Sequence, residues 1–107
     1  MKRPEAELQA LVGEWARKAA QDFAGAERLA AEGSELRELA VFHAQQAAEK
    51  YLKALMIHHR VLPPKTHDLT KLLLECVAWY PDLGMFEAEC KFLSPLAVIS
   101  QIGRAHV

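Results

Sequence analysis

Apolar residues recur through the first third of the chain at Leu8, Leu11, Val12, Trp15, Ala19, Phe23, Ala26 and Leu29. Steps of three and four residues put them on one stripe of an α-helix. Pro4 suits the first turn, where a missing N–H costs nothing. The stripe predicts a helix reaching about Ala31, ended by Gly33, with Ser34 able to cap the next one. A second helix is expected from about Glu35 to about His59, a rod of about 38 Å. The prolines of "LPPK" break it. Thr66 is the expected N-cap of a third helix, with Asp68 in its first turn facing the positive end of the helix dipole. Leu69, Leu72, Leu73, Cys76, Val77 and Tyr80 form its apolar stripe. Pro81 and Gly84 mark a turn, and a fourth helix is expected from near Leu83 to about Gln101, with Pro95 as a kink or break. Strand patterns are weak throughout. There is no internal repeat and no low-complexity tract. The pattern predicts an all-α, antiparallel, up-and-down four-helix bundle.

The second rod is two-sided. At about 100° per residue, Leu36, Ala40, Ala44, Ala47, Ala48, Tyr51, Ala54 and Leu55 form a broad apolar arc, and its alanines allow close approach of a neighbour. Gln46, Glu49 and Lys53 gather opposite, with His43 and Lys50 at the border. One reading is a solvated face with Gln46–Lys50 and Glu49–Lys53 pairs, each worth about 0.2–0.5 kcal/mol. Phe42 and Met56 complicate it. They lie on the same side, two heptads apart, with Glu49 midway. That spacing predicts a second packing surface on Phe42, Glu49 and Met56, a contact between copies of the chain.

Composition narrows the class. The 107 residues suit a single domain over 1–107, and 51% hydrophobic with 25% charged residues describe an ordinary globular protein. Thirteen basic and fourteen acidic residues leave a formal charge of -1. Any nucleic-acid contact therefore needs a local patch. Cys76 and Cys90 lack metal-ligand spacing and follow no secretory signal; reduced, core-type thiols in a cytoplasmic protein are expected. No apolar run approaches the roughly 20 residues of a membrane span.

"FHAQQAAEKYLKAL", followed after the proline loop by "KTHDLTKLL", resembles the HEPN family (higher eukaryotes and prokaryotes nucleotide-binding domain), and "WARKAAQDFAGAERLA" is similar to its opening helix. The resemblance implies a four- or five-helix bundle, commonly a homodimer. It also implies a minimal nucleotidyltransferase as partner, sometimes in a toxin–antitoxin pair. Other members are metal-independent RNases that use an arginine followed a few residues later by a histidine. Histidine suits proton transfer near neutral pH, and arginine suits phosphate charge. Here Arg37 and His43 point about 120° apart on one helix and come too early. Arg60 and His67 straddle the proline loop, and Arg104 and His106 are too close together. Members of this branch tend to read Arg-Tyr-Pro after a stretch like "LSPLAVIS" and to continue into a last helix. "QIGRAHV" departs from that, so the final helix is expected to be cut short.

Several residues invite chemistry, each with a plainer account beside it. Lys65, Thr66, His67 and Asp68 at a helix start suit a nucleotide phosphate; the plainer account is capping. Lys50, Lys53, Arg60 and Lys65, with His58 and His59, form a basic strip; such strips are commonly just solvated. Adjacent histidines diverge by about 100°, and no chelating spacing completes a metal site. Trp15, Trp79 and Tyr80 read as core or half-buried anchors. The expected ligand-binding set is therefore His43, Gln46, Glu49, Lys50, Lys53 and the 65–68 loop, with no catalytic residue, cofactor or metal. The expected role is a self-associating, nucleotide- or RNA-associated module that partners a nucleotidyltransferase. An RNase formed across a dimer and a purely structural protein-binding bundle are the alternatives.

Overall fold

The structure, a computed structural model, describes residues 4–92. Within them lie four α-helices: α1 (Glu5–Ala31), α2 (Arg37–His58), α3 (Leu69–Val77) and α4 (Glu87–Phe92). Two 3₁₀ turns, Ser34–Leu36 and Pro81–Phe86, precede α2 and α4. The described residues contain no strand, and the fold is all-α.

Helices α1 and α2 form an antiparallel hairpin. Glu5, at the start of α1, pairs with Arg60 just past the end of α2, while Asp22 meets His43 and Lys50. Small residues let the two backbones approach: Ala19 and Ala26 on α1, and Ala40, Ala44, Ala47 and Ala48 on α2, are all buried. Helix α3 packs on α2 through Leu69, Leu72, Leu73 and Cys76, and Leu83 and Phe86 of the second 3₁₀ turn join the same core. The Cys76 thiol donates to the Leu52 carbonyl at 3.5 Å, and burial pushes it up to about 12. A thiol so disposed is inert packing. Cys76 is buried and Cys90 is half-buried.

Element ends depart from the sequence reading in three places. Ser34 does not cap α2: it opens a 3₁₀ turn, and α2 begins only at Arg37, with no side-chain cap. Gly33, at φ 117°, makes the turn between the hairpin helices, a backbone that L side chains rarely adopt. The cap of α3 is Asp68, whose carboxylate accepts from Thr70 N–H (3.0 Å) and Lys71 N–H (3.3 Å). Thr66 instead accepts from the Asp68 N–H at 3.1 Å, setting the approach to the cap. The segment from Leu83 is still 3₁₀, and α4 begins at Glu87. The continuation to Gln101, the Pro95 kink, the Arg104/His106 pair and the shortened final helix lie outside the described residues.

The end of α2 is a Schellman motif. Arg60 N–H donates to the Ile57 carbonyl and Val61 N–H to that of Met56, both at 2.9 Å. Arg60 occupies the left-handed position at φ 62°, which costs a non-glycine residue about 1–2 kcal/mol. From there the chain retraces α2, and His67 reaches Glu49.

That return path corrects the two-sided reading of α2. Met56 is 1% exposed and belongs to the core with Leu69 and Leu72. It cannot form an intersubunit stripe with Phe42. Leu52, outside the expected arc, is fully buried too. Towards its C-terminal half α2 is covered on more of its circumference than one apolar arc allows. Phe42, nearer the other end, is 52% exposed.

Candidate functional site

Polar groups of α2 are held by two carboxylates. Asp22, from α1, offers one oxygen to His43 Nδ1 (3.3 Å) and the other to Lys50 Nζ (2.5 Å). Glu49 accepts from Lys53 Nζ (3.0 Å) and from His67 Nδ1 (2.8 Å). Glu49 is itself 7% exposed, the one charged residue in the buried set among the described residues. A buried carboxylate persists only when hydrogen-bonded, and Glu49 has two donors, the Lys53 ammonium and the His67 ring N–H. The solvated-face account thus fails at Glu49 and Lys53, although their i,i+4 pair forms as the spacing predicts.

His67 joins a fixed end to a free one. Its side chain is 86% exposed although Nδ1 is tied to Glu49. With the carboxylate accepting, Nδ1 carries the proton, and Nε2 of the neutral ring keeps a lone pair for a ligand. His43 is fixed by Asp22 and stands edge-on to Phe42, ring centroids 5.5 Å apart. Gln46 is half-buried on the same helix, one turn from His43 and Lys50. Lys65 is exposed in the loop.

Asp22 was not among the residues singled out from the sequence. Its signal was present: it sits three residues after Ala19 and four before Ala26, on the stripe that faces the neighbouring helix. An acid there needs a cation from across the interface, and Lys50 provides one.

The α3 N-terminus is not an open phosphate cradle. Asp68 occupies its amides and Thr66 braces Asp68, so the capping account holds, with the cap two residues later than expected. The basic strip is also divided. Lys50 and Lys53 are engaged by Asp22 and Glu49, and Arg60 pairs with Glu5. Arg60 and His67 do not converge. His67 is anchored at Glu49, eleven residues before Arg60 (60 − 49 = 11), or about 16 Å along the helix.

His59 lies flat on Trp79, centroids 4.4 Å apart and planes within 3°, and its Nε2 is 3.1 Å from the Tyr80 hydroxyl. Burial, and secondarily His58, lowers its pKa below the ordinary 6.5. This histidine fastens the end of α2 to the end of α3. The Tyr51 hydroxyl is buried without a hydrogen-bond partner, and burial, with Tyr80 and Cys76 nearby, raises it to about 12. Among the described residues no three His, Cys, Asp or Glu side chains gather as a metal site. No helix among them is long and apolar enough to cross a membrane.

The order of segments matches a family model, that of the HEPN domain, over residues 12–107. The chain belongs to the HEPN domain family. It is thereby a helical module of the nucleotide- and RNA-related kind. No curated protein and no solved structure matches it. In this HEPN chain the family-like segments "FHAQQAAEKYLKAL" and "KTHDLTKLL" are the two that Glu49 and His67 join.

Proposed function

We propose that this HEPN protein is a non-catalytic module that binds nucleotide or RNA through the α2 polar face and the 65–68 loop. It self-associates and partners a minimal nucleotidyltransferase in a toxin–antitoxin-like pair. In that reading α1 to α4 belong to an antiparallel up-and-down bundle. The observation that carries the binding role is the anchoring of His43, Lys50, Lys53 and His67 by Asp22 and Glu49. Side chains fixed before a ligand arrives lose less freedom on binding it. Arg60 pairs with Glu5, while His67 pairs with Glu49, which supports recognition over bond-making. Calorimetric titration with nucleoside triphosphates and with single-stranded RNA tests it. Saturable heat with either, reduced by His67→Ala and Lys50→Ala, is expected; no heat with any of them favours a purely structural bundle. Co-purification with a nucleotidyltransferase expressed from the adjoining gene tests the partnership.

The Glu49–His67 pair favours one second reading. A carboxylate that fixes Nδ1–H and leaves Nε2 in solvent is a workable general base, and a second subunit can bring the arginine that this chain keeps elsewhere. Incubation with RNA in chelator decides between the two. Cleavage that His67→Ala abolishes establishes the RNase.

A further inference from the structure

Arg60 carries a side chain where glycine is the ordinary occupant. It is the left-handed residue of the Schellman motif, and among the described residues no other non-glycine residue has positive φ. Little within the chain offsets that strain. The pair with Glu5 joins side chains that are 53% and 60% exposed, and such pairs add little to stability. The dipole at the end of α2 gains from a cation anywhere in the last turn; it does not require one in a left-handed backbone. Strain retained at an exposed site points to a use for the side chain itself.

The surroundings indicate which use. From His58 to His67 the chain has no acidic side chain and holds Arg60, Lys65 and three histidines. His58, Arg60, Lys65 and His67 are exposed. The loop begins at the end of α2 and returns to Glu49, about 16 Å back along the helix. Its two cations, Arg60 and Lys65, lie along the loop rather than gathered in a cup, and the helix start at its far end is closed by Asp68. A row suits a strand with repeating phosphates better than a single mononucleotide. We infer that Arg60 is a phosphate contact for single-stranded RNA, at one end of a track that continues through Lys65 to His67. This rests on the binding function proposed above and adds the strand, its path and a named contact. Glu5 holds the guanidinium in the absence of RNA and competes with the phosphate for it.

Fluorescence anisotropy with a labelled oligouridylate over a salt series, together with thermal melting, tests the assignment on the intact chain, Arg60→Gly and Glu5→Gln. Arg60→Gly is expected to weaken RNA binding roughly fivefold and to reduce the slope of log affinity against log salt by about 0.7, the share of one phosphate on a single strand. The same variant melts roughly 2–5 °C higher, because the left-handed strain is gone. Glu5→Gln tightens RNA binding by roughly twofold. Affinity falling while stability rises is a combination that a structural role for Arg60 cannot produce. RNA binding by Arg60→Gly equal to that of the parent overturns the inference and leaves the binding function standing. Weakened binding to a nucleoside triphosphate with RNA unaffected overturns the strand assignment. A parent protein that binds no RNA overturns the inference and the RNA half of the proposed function together.

Discussion

Glu49 sits where water reaches 7% of its surface, and Lys53 and His67 both donate to it. Removing one member of such a group leaves the rest unpaired, at a cost of about 3–5 kcal/mol in a fully dry site. Lys53 is 11% exposed at its side chain and has a long stem to reach water, so Glu49→Ala should cost less, about 1–3 kcal/mol. Glu49→Gln keeps the shape and one acceptor oxygen, and should cost about half as much. Urea unfolding of the two variants measures the difference. An Ala variant within error of the parent would mean that Glu49 is solvated and not the anchor of His67. The Ala variant has a second effect: without the Glu49 oxygen the His67 ring is no longer held with Nε2 outward, whereas Glu49→Gln keeps an acceptor for Nδ1–H.

At the scale of elements, α3 is nine residues long and depends on its start. An isolated helix that short does not hold in water. Asp68→Ala should cost about 1 kcal/mol by losing the cap of two amides. Thr66→Ala, which loses only the bond to the Asp68 N–H, should cost a few tenths, roughly 0.3–0.5 kcal/mol. Chemical denaturation with the ranking reversed would return the cap to Thr66, where the sequence pattern put it. That difference shows what periodicity reveals and what it does not. Leu69, Leu72, Leu73 and Cys76 were readable as the buried stripe of α3 because spacing alone decides a face. Whether Thr66 or Asp68 caps depends on a two-residue turn that spacing does not encode. Met56 and Glu49 were assigned outward for a similar reason: projection of one helix carries no information about a loop that folds back over it. Phe42, beyond the reach of that loop, stayed outside. At the opposite junction, His59 stacks on Trp79 as a neutral ring with its pKa below 6.5. The unfolded chain takes up the proton first as pH falls, so stability present above about pH 6.5 is lost as pH drops through the lowered folded value. Melting at about pH 7.5 and about pH 5 should show a smaller loss for His59→Phe than for the parent.

At the scale of the molecule, the open question is what faces Phe42. The hairpin of α1 and α2 exposes Leu39 at 44% and Phe42 at 52%, three residues apart on one side of α2 and away from the loop that closes over Met56. Single exposed apolar residues are ordinary, whereas a neighbouring pair beside the His43–Asp22 contact forms a patch that association can cover. A second copy is the occupant proposed here, since a two-fold axis near Phe42 would bring both patches together through one self-complementary surface. The surface is smaller than the Phe42–Glu49–Met56 stripe that the heptad spacing suggested, because Met56 is spent on the core. Phe42→Asp places a charge at its centre without touching a buried position, so helix content by circular dichroism should not change. Light scattering should find the parent at twice the 12.0 kDa chain mass and the variant at that mass itself. A parent that stays monomeric at high concentration would remove self-association from the proposal. RNA binding would be unaffected by that result, because the track from Arg60 to His67 is built wholly within one chain. A dimer that Phe42→Asp leaves intact would move the interface elsewhere, with exposed Leu74 and Met85 the next residues to substitute.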